Sequence, residues 1–600
     1  MGFHSLTIGR TALGAANYGL QVTGQNLSNV NTDGYSRQRL NQAGAVYGVG
    51  YGNNRALGSG VVVTSVKRVA STMAEKQLRQ ATSGYNHDAT MKNCYTNLQS
   101  FFNVSLSATS ADRTAISDCM TKFWNSLDTL SSNVETLSTA KTTVTEAETL
   151  TERFNKLAAD LKEYRETVNP EIENSVTQIN TYLREIADLN ASIVYAESGG
   201  VTGVVANDLR DQRGLALRNL SELVDITVTD EKNGSCIVAL NGRTMVYHDQ
   251  VSGMDVVYES KNGFQSAIPV FAKDKYPVRS CGGAMAAQME IRDNVIPGYQ
   301  EELDQLAAAF TWEFNRVYSQ TRSKEPLTTA SSLNGPVDPS VTLDKLTYKA
   351  SIPAGAFKID NGNLAIIVHN RNAPDSDKTV NLEIDLDGRL GPNGEPDMIL
   401  WDPENPDAEN SFINRLQKEL DKEFSGVFKV EIDNEYKVSI TCMSADYGFC
   451  FGEDTSGVLA ALGMNTFFTG HNASDIGVNQ TLKDDPKLMA TGKSFKSGDN
   501  NGLLAMLACR DTKLDRLGGM NPDEYFQATA GRLGSEASRC TTQYTLATDV
   551  LGRMFNQRES ICGVNEDEET VNLIMYQRAY QSAAKYISVI DGLYDTLLNM

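Results

Sequence analysis

Few residues in this 600-residue chain are spaced for recognised chemistry. Lys493 and Ser494, following Gly492, look like the end of a phosphate-binding loop. Such a loop needs an earlier glycine so that backbone N–H groups turn inward around the phosphate, and Lys487 occupies that position. Asp385, Asp387 and Gly388 begin like a calcium loop, but the third oxygen ligand and the terminal glutamate are displaced, so a polar turn between strands is expected. Gly48, Gly50 and Gly52 lack the strand-then-helix setting of a dinucleotide site and are expected to form a flexible loop. None of the five histidines stands in an HExxH or paired-ligand spacing, and no nucleophile or carboxylate set brackets one. Nine dispersed cysteines (94, 119, 236, 281, 442, 450, 509, 540, 562) without a CxxC suit reduced thiols rather than a disulfide framework. No catalytic, cofactor-binding or metal residue is therefore expected, and the chain does not read as an enzyme.

The elements around these positions are more informative. Leu6, Leu13, Leu20 and Leu27 recur every seven residues, beside a row of Gly9, Ala16, Thr23 and Val30 that lets a second helix approach closely. At the other end Leu573, Tyr576, Tyr580, Ala583, Ile587, Ile590, Tyr594 and Leu597 alternate steps of three and four. Glu566, Asp567, Glu568 and Glu569 suit the first turns of that helix through its dipole. The two ends are expected to pair as a coiled coil and to leave apolar surface for neighbouring molecules.

Further inside, Ile172, Val176, Ile179, Leu183, Ile186 and Ile193 form another helical series, with Asn190 at its one polar step and Pro170 expected to open the helix. Leu303, Leu306, Phe310 and Phe314 mark a second helical tract within 285–322. Between them the period changes to two, as in Cys236, Val238 and Leu240, with Asn233-Gly234 and Asn241-Gly242 as turns. Residues 323–480 carry most of the prolines and a hairpin pattern, Phe428, Val430, Ile432, then Tyr436, Val438, Ile440, Cys442. After 480 helix returns, notably from Pro522 to about Glu559.

The expected architecture is mainly α with β-rich outer parts, a discontinuous multidomain rod. Its parts are a terminal helical domain (1–60 plus 541–600), a helical-bundle shell (61–322 plus 481–540, with a small β part near 224–281) and a β-rich outer insert (323–480). Asp and Glu number 75 against 54 Lys and Arg, a net charge of −21 that argues against binding nucleic acid or anionic membrane surfaces. No apolar run reaches the length of a membrane span, and the first twenty residues lack the basic and apolar regions of a Sec-type signal.

The stretch from Gln25 through Asn29, Asn31, Gly34, Tyr35, Ser36, Arg37 and Gln38 resembles the N-terminal signature of bacterial flagellar axial proteins. Within that group its GYSRQ ending is similar to the hook-associated junction family, since rod and hook proteins usually have Lys where Ser36 stands. The tail from Gly563 to Met600 and the tract 207–228 resemble the same family. The resemblance implies a structural protein that forms a ring at the hook–filament junction of the flagellum. It would contact itself, the hook protein and the next hook-associated protein toward the filament. It further implies uncleaved export through the flagellar type III channel to the cell exterior, and a cytoplasmic chaperone on the C-terminal helix. A hook-type axial protein, or an adhesin or enzyme carried by the 323–480 insert, are the competing readings. The Ser36-Arg37-Gln38 run argues against the first, and the insert's lack of a metal pair or nucleophile–base set argues against the second.

Overall fold

A computed structural model describes residues 2–45, 58–102, 115–198, 205–261, 263–279, 281–348, 357–373, 376–387, 397–496 and 498–598. The chain opens with α1 (Gly2–Ser28), β1 (Gln38–Gly44), β2 (Val61–Arg68), α2 (Thr72–Phe102), α3 (Ile116–Ser132), α4 (Leu137–Ser198) and α5 (Asn207–Leu223). Six strands follow, β3 (Thr227–Asp230), β4 (Cys236–Leu240), β5 (Arg243–Tyr247), β6 (Gln250–Val251), β7 (Met254–Lys261) and β8 (Phe264–Phe271). Then come α6 (Gly283–Glu290), a π turn (Ile291–Val295), α7 (Ile296–Tyr318), β9 (Thr329–Ser331), β10 (Gly362–Asn370), β11 (Lys378–Ile384) and α8 (Phe412–Phe424). The remainder is β12 (Phe428–Ile432), β13 (Val438–Cys442), β14 (Tyr447–Asp454), α9 (Val458–Leu462), β15 (Phe468–Thr469), β16 (Gly477–Val478), α10 (Gln480–Asp484), α11 (Asn501–Ala508), α12 (Pro522–Cys562) and α13 (Glu566–Leu598). The fold is mainly α, with small antiparallel sheets.

The chain forms two compact units, one of residues 1–95, 165–293 and 537–600, the other of 96–164 and 294–536. The boundaries of these units fall within α2, α4 and α12 and at the π turn.

In the first unit α4 and α5 pack on the sheet β3-β4-β5-β6. The series Ile172, Val176, Ile179, Leu183, Ile186 and Ile193 is buried along its full length. Its polar step, Asn190, is fully buried and fully paired: its amide donates to the carbonyls of Cys236 and His248, and its Oδ1 accepts from Cys236 N and Arg213 Nη1. A buried amide with every hydrogen bond made specifies one register of helix against sheet.

Pro170 does not open a helix; it lies inside the 62-residue α4. Its ring faces solvent, while Val168 and Ile172 on either side are buried. The burial of that stripe outweighs the hydrogen bond that proline cannot donate.

In the second unit an aromatic cluster sits between α3 and α7, where Phe123 lies 5.5 Å from Phe314 and 5.6 Å from Phe468, ring centre to ring centre. The expected hairpin pairs Phe428 with Cys442, Val430 with Ile440 and Ile432 with Val438. Its second strand starts at Val438 rather than Tyr436, because Asp433 Oδ1 takes the amides of Glu435 and Lys437 and makes 433–437 the turn. The sequence reading missed α8, whose Phe412, Ile413, Leu416 and Leu420 enter the core of this unit.

Candidate assembly site

The terminal helices α1 and α13 pack against each other antiparallel, for Gly9 lies beside Ile587 and Gly19 beside Tyr576. A Cβ at Gly9 would come within 2.7 Å of Ile587 Cγ1, and one at Gly19 within 2.4 Å of the Tyr576 ring. The residues that α1 buries are Gly9, Ala15, Ala16, Gly19, Thr23 and Asn26. The leucine row flanks this seam instead of forming it: Leu13, Leu20 and Leu27 are half-buried and Leu6 is 38% exposed. Small side chains let the backbones close in, so the large ones are pushed to the sides of the contact.

On α13, Tyr576 and Ile587 of the three–four series lie against α1. Ala583 is buried, Leu573, Tyr576, Ile587, Ile590 and Tyr594 are half-buried, and Tyr580 sits at the rim at 39% exposure. The Leu597 side chain lies outside the described residues. A second apolar row, Val571, Met575, Val589 and Leu593, is exposed.

The root of the helix pair is a polar clasp built from the motif that follows α1. Asn29 and Thr32 start a tight turn, with Thr32 N bonded to Asn29 O, and Gly34 takes φ +82° to complete it. Asn29 Nδ2 also closes back on Gln25 O at 2.9 Å, while Asn31 remains exposed. The turn drives Tyr35 and Ser36 into the protein. Tyr35 donates its hydroxyl proton to Asn26 Oδ1 at 2.9 Å, and Gln38 N donates to the same oxygen at 2.8 Å. The Asn26 amide nitrogen in turn donates to Gln38 O and to Glu569 Oε2.

Arg37 spans to α13, with Nε 2.8 Å from Glu569 Oε1 and Nη1 2.9 Å from Glu568 Oε2. Arg558, near the end of α12 and 3% exposed, donates Nη2 to Gly34 O, Tyr35 O and Ser36 Oγ. Its Nε meets Glu75 Oε1 at 3.2 Å and its Nη1 meets Glu559. From α5, Asp211 accepts from Ser36 N and pairs with Arg68 at 3.0 Å, while Asp208 accepts from Gln38 Nε2. Four helices (α1, α5, α12 and α13) therefore meet on one ten-residue motif, and α2 joins them through the Glu75–Arg558 pair.

Electrostatics match this locking role. Burial pushes the Tyr35 phenol far up, with Asp208, Asp211 and Glu569 adding to it, so it stays a hydrogen-bond donor. Burial lowers the Arg558 guanidinium, but Glu559 and Glu75 outweigh it and the net shift is upward. The Glu568 hydrogen bond raises Arg37 and the same contact lowers Glu568. Burial raises the Asp211 carboxyl against the pull of Arg68 and the Ser36 amide. Nothing in the clasp is arranged as a nucleophile beside a base; its hydrogen bonds and ion pairs tie the turn after α1 to α5, α12 and α13.

Sequence reasoning singled out the stretch from Gln25 to Gln38, Asn26 within it, but missed Glu75, Asp208, Asp211 and Arg558 as its surroundings. Glu568 and Glu569 stand in the sequence as dipole partners and as part of the family-like acidic tail, without a sign of their pairing with Arg37. The available signal was chemical: an arginine, a tyrosine and an asparagine adjoining a buried turn need partners.

The remaining chemical candidates resolve as follows. In the Gly492-Lys493-Ser494 loop the Lys493 and Ser494 amides and the Ser494 hydroxyl all donate to Asp499 Oδ2, so the protein's own carboxylate fills the place of a phosphate. Asp385 and Asp387 approach Asp397, the three offering oxygens within 4.8 Å of one another, and Gly388 is outside the described residues, as are Gly48, Gly50 and Gly52. Among the described residues no helix is long and apolar enough to cross a membrane.

The model for the flagellar hook-associated protein FlgK helical domain matches residues 106–323, and that for the C-terminal region of flagellar basal body rod FlgEFG proteins matches 560–600. Flagellar hook-associated protein 1 of Salmonella typhimurium is 25% identical over 604 aligned residues, covering 98% of both chains. The proteins of the same name from Escherichia coli and Bacillus subtilis are each 23% identical, covering 98% and 100% of this chain and 98% of theirs. The solved flagellar hook junction protein FlgK from Burkholderia pseudomallei aligns over 81% of this chain and 100% of its own, at 16% identity and a TM-score of 0.47. With the helical-domain and C-terminal models matched and named relatives aligned from end to end, the chain resembles flagellar hook-associated protein 1 along its whole length.

Proposed function

We infer that the chain is a structural junction protein of the bacterial flagellum, forming a ring that joins the hook to the filament and adapts their mechanics. The reading rests on full-length similarity to hook-associated protein 1, both termini included. The terminal pair supplies a means: it is clasped at its root, while Val571, Met575, Val589 and Leu593 remain exposed for neighbouring subunits. The layered organisation belongs to the same proposal, with 1–60 plus 541–600 innermost, 61–322 plus 481–540 around it and 323–480 outermost.

The partners are further copies of the chain, the hook protein on one side and the next hook-associated protein on the other. Export through the flagellar type III channel places the chain outside the cell, and a cytoplasmic chaperone covers the stripe from Leu573 to Leu597 beforehand. A strain lacking its junction protein secretes flagellin without assembling it; expression of this chain restores filaments. Failure to restore them, with the chain expressed and exported, refutes the reading. Deleting 565–600 abolishes chaperone capture, and retained capture refutes the assignment of the stripe.

A further inference from the structure

At an Asn-Gly step the asparagine side chain is open to attack by the next backbone nitrogen, because glycine carries no side chain to block the approach. The sequence holds seven such steps, and five lie wholly within the described residues, at Asn233, Asn241, Asn334, Asn361 and Asn501. Folding treats these five unequally. At four of them the asparagine side chain is hydrogen-bonded. Asn233 Oδ1 accepts from the amide and hydroxyl of Ser235, and Asn361 Oδ1 accepts from Leu386 N. Asn334 Nδ2 donates to Ala461 O and Asn501 Nδ2 to Asp499 Oδ1. Their glycines are crowded as well. A Cβ at Gly234 would lie 2.6 Å from Glu197, one at Gly362 2.6 Å from Thr455 and one at Gly502 2.7 Å from Thr491, while at Gly335 it would run into the carbonyl of Glu435.

Asn241 stands apart. With Gly242 it makes the two-residue turn between β4 and β5, at φ +51° and +76°. Both residues are exposed, and nothing lies within 4 Å of a Cβ at Gly242. Among the described residues the Asn241 side chain has no hydrogen-bond partner, and the Gly242 N–H stands outside the bonded pair of the turn, Leu240 with Arg243. Only that pair and Ala239 with Thr244 separate the turn from a shift of register beside Val238. The tip can therefore rotate at Asn241 while the buried pair Val238 and Val246 stays in place.

We propose that Asn241 is a site of spontaneous deamidation, the first of the five to convert in the folded chain. The only reactant besides the chain is water. The Gly242 nitrogen attacks Asn241 Cγ, so that a C–N bond forms and the Cγ–Nδ2 bond breaks. Through solvent, the Gly242 proton passes to the departing Nδ2, which leaves as ammonia. Water then adds to either carbonyl of the five-membered imide and reopens it. The product is an aspartate, or an isoaspartate whose backbone runs through the former side chain. Either one places a new carboxylate within two residues of Arg243, which already pairs with Asp274 and lies over the Phe271 and Tyr276 rings. The isoaspartate also lengthens the turn by one backbone carbon, which a two-residue turn absorbs only by displacing the Leu240–Arg243 pair.

The test incubates the full-length chain in mildly alkaline buffer, digests it and follows each Asn-Gly peptide by mass spectrometry. Conversion adds about one mass unit, and isoaspartate separates from aspartate by retention time. In the folded chain the Asn241 peptide is expected to convert at least about tenfold faster than the other four, whose packing must break before the ring can close. In urea the five rates are expected to converge to within about threefold, since unfolding removes the packing and leaves the sequence. Asn241→Gln, which would need a larger ring, removes the fast step and leaves the other four rates unchanged. No conversion at Asn241 in the folded chain, or a rate there no faster than at the other four, overturns the proposal. A lead for Asn241 that persists undiminished in urea overturns it too, because the preference would then lie in the flanking sequence and not in the fold.

Discussion

Replacing Gly19 by Ala sets two effects of known sign against each other. An Ala inside a helix is favoured over Gly by about 1 kcal/mol. At Gly19, however, the new methyl would lie 2.4–2.6 Å from three atoms of the Tyr576 ring, a rigid group that cannot swing aside like the end of a long chain. Overpacking of this kind costs about 1–3 kcal/mol, and the stiff neighbour places it at the upper end. Gly9→Ala meets the same objection from Ile587 at 2.7 Å and the Tyr586 ring at 3.0 Å. Gly14 and Gly24 lie on the same helix with nothing within 4 Å of a Cβ, so Gly14→Ala and Gly24→Ala carry only the gain. The clashing pair is therefore expected to destabilise the terminal helix pair by about 1–2 kcal/mol and the open pair to stabilise it by about 1 kcal/mol. A gap of about 2–3 kcal/mol is roughly a 30- to 150-fold difference in the opening equilibrium. Hydrogen exchange of the α13 amides in the unassembled chain reads that difference directly. Equal protection in all four variants would refute the assignment of the small-residue row as the seam.

Other expectations follow from single contacts. Arg558→Met keeps most of the volume but strips Gly34 O, Tyr35 O and Ser36 Oγ of their shared donor and leaves Glu75 without its ion pair; a loss of about 3 kcal/mol in urea unfolding of the first unit is expected. Burial would raise the Asp499 carboxyl, but hydrogen bonds from the Ser494 hydroxyl and the Asn501, Ser494 and Lys493 amides outweigh it and hold it down to about 2. A carboxyl depressed below its ordinary value of 3.8 contributes its stability above that pH and loses it as pH falls toward 2. With partial solvent screening this is worth about 1–2 kcal/mol, so Asp499→Asn lowers stability at pH 7 by that amount and flattens the acid limb of the stability curve between pH 4 and 2. Pro170→Ala restores an N–H inside α4 at an exposed position and is expected to raise stability by about 1–2 kcal/mol in thermal unfolding; a loss of stability would show that α4 depends on the proline ring there.

Periodicity carried much of the architecture. A three–four spacing over Leu573 to Tyr594 and over Ile172 to Ile193 leaves helix as the one regular structure that places those residues on a single face, and both tracts are helices. The hairpin at 428–442 was likewise readable from alternation and a polar turn. Local composition could not decide which of two adjacent rows on α1 would be buried. The leucines had the greater apolar area, but backbone approach depends on what is absent from the facing surface, and only the packed pair reveals that Gly9 and Gly19 meet Ile587 and Tyr576. Pro170 misled for a related reason, since a rule about local hydrogen bonds was overridden by burial on either side. The motif from Asn29 to Gln38 was visible as a string of residues with unmet hydrogen-bonding needs. Its partners Asp208, Asp211, Arg558 and Glu569 lie up to more than five hundred positions away in the chain. Local sequence thus determined the helices and the turn at Gly34; tertiary structure alone decided which distant charges the turn would face, because a buried hydrogen bond depends on distance in space and not on separation along the chain.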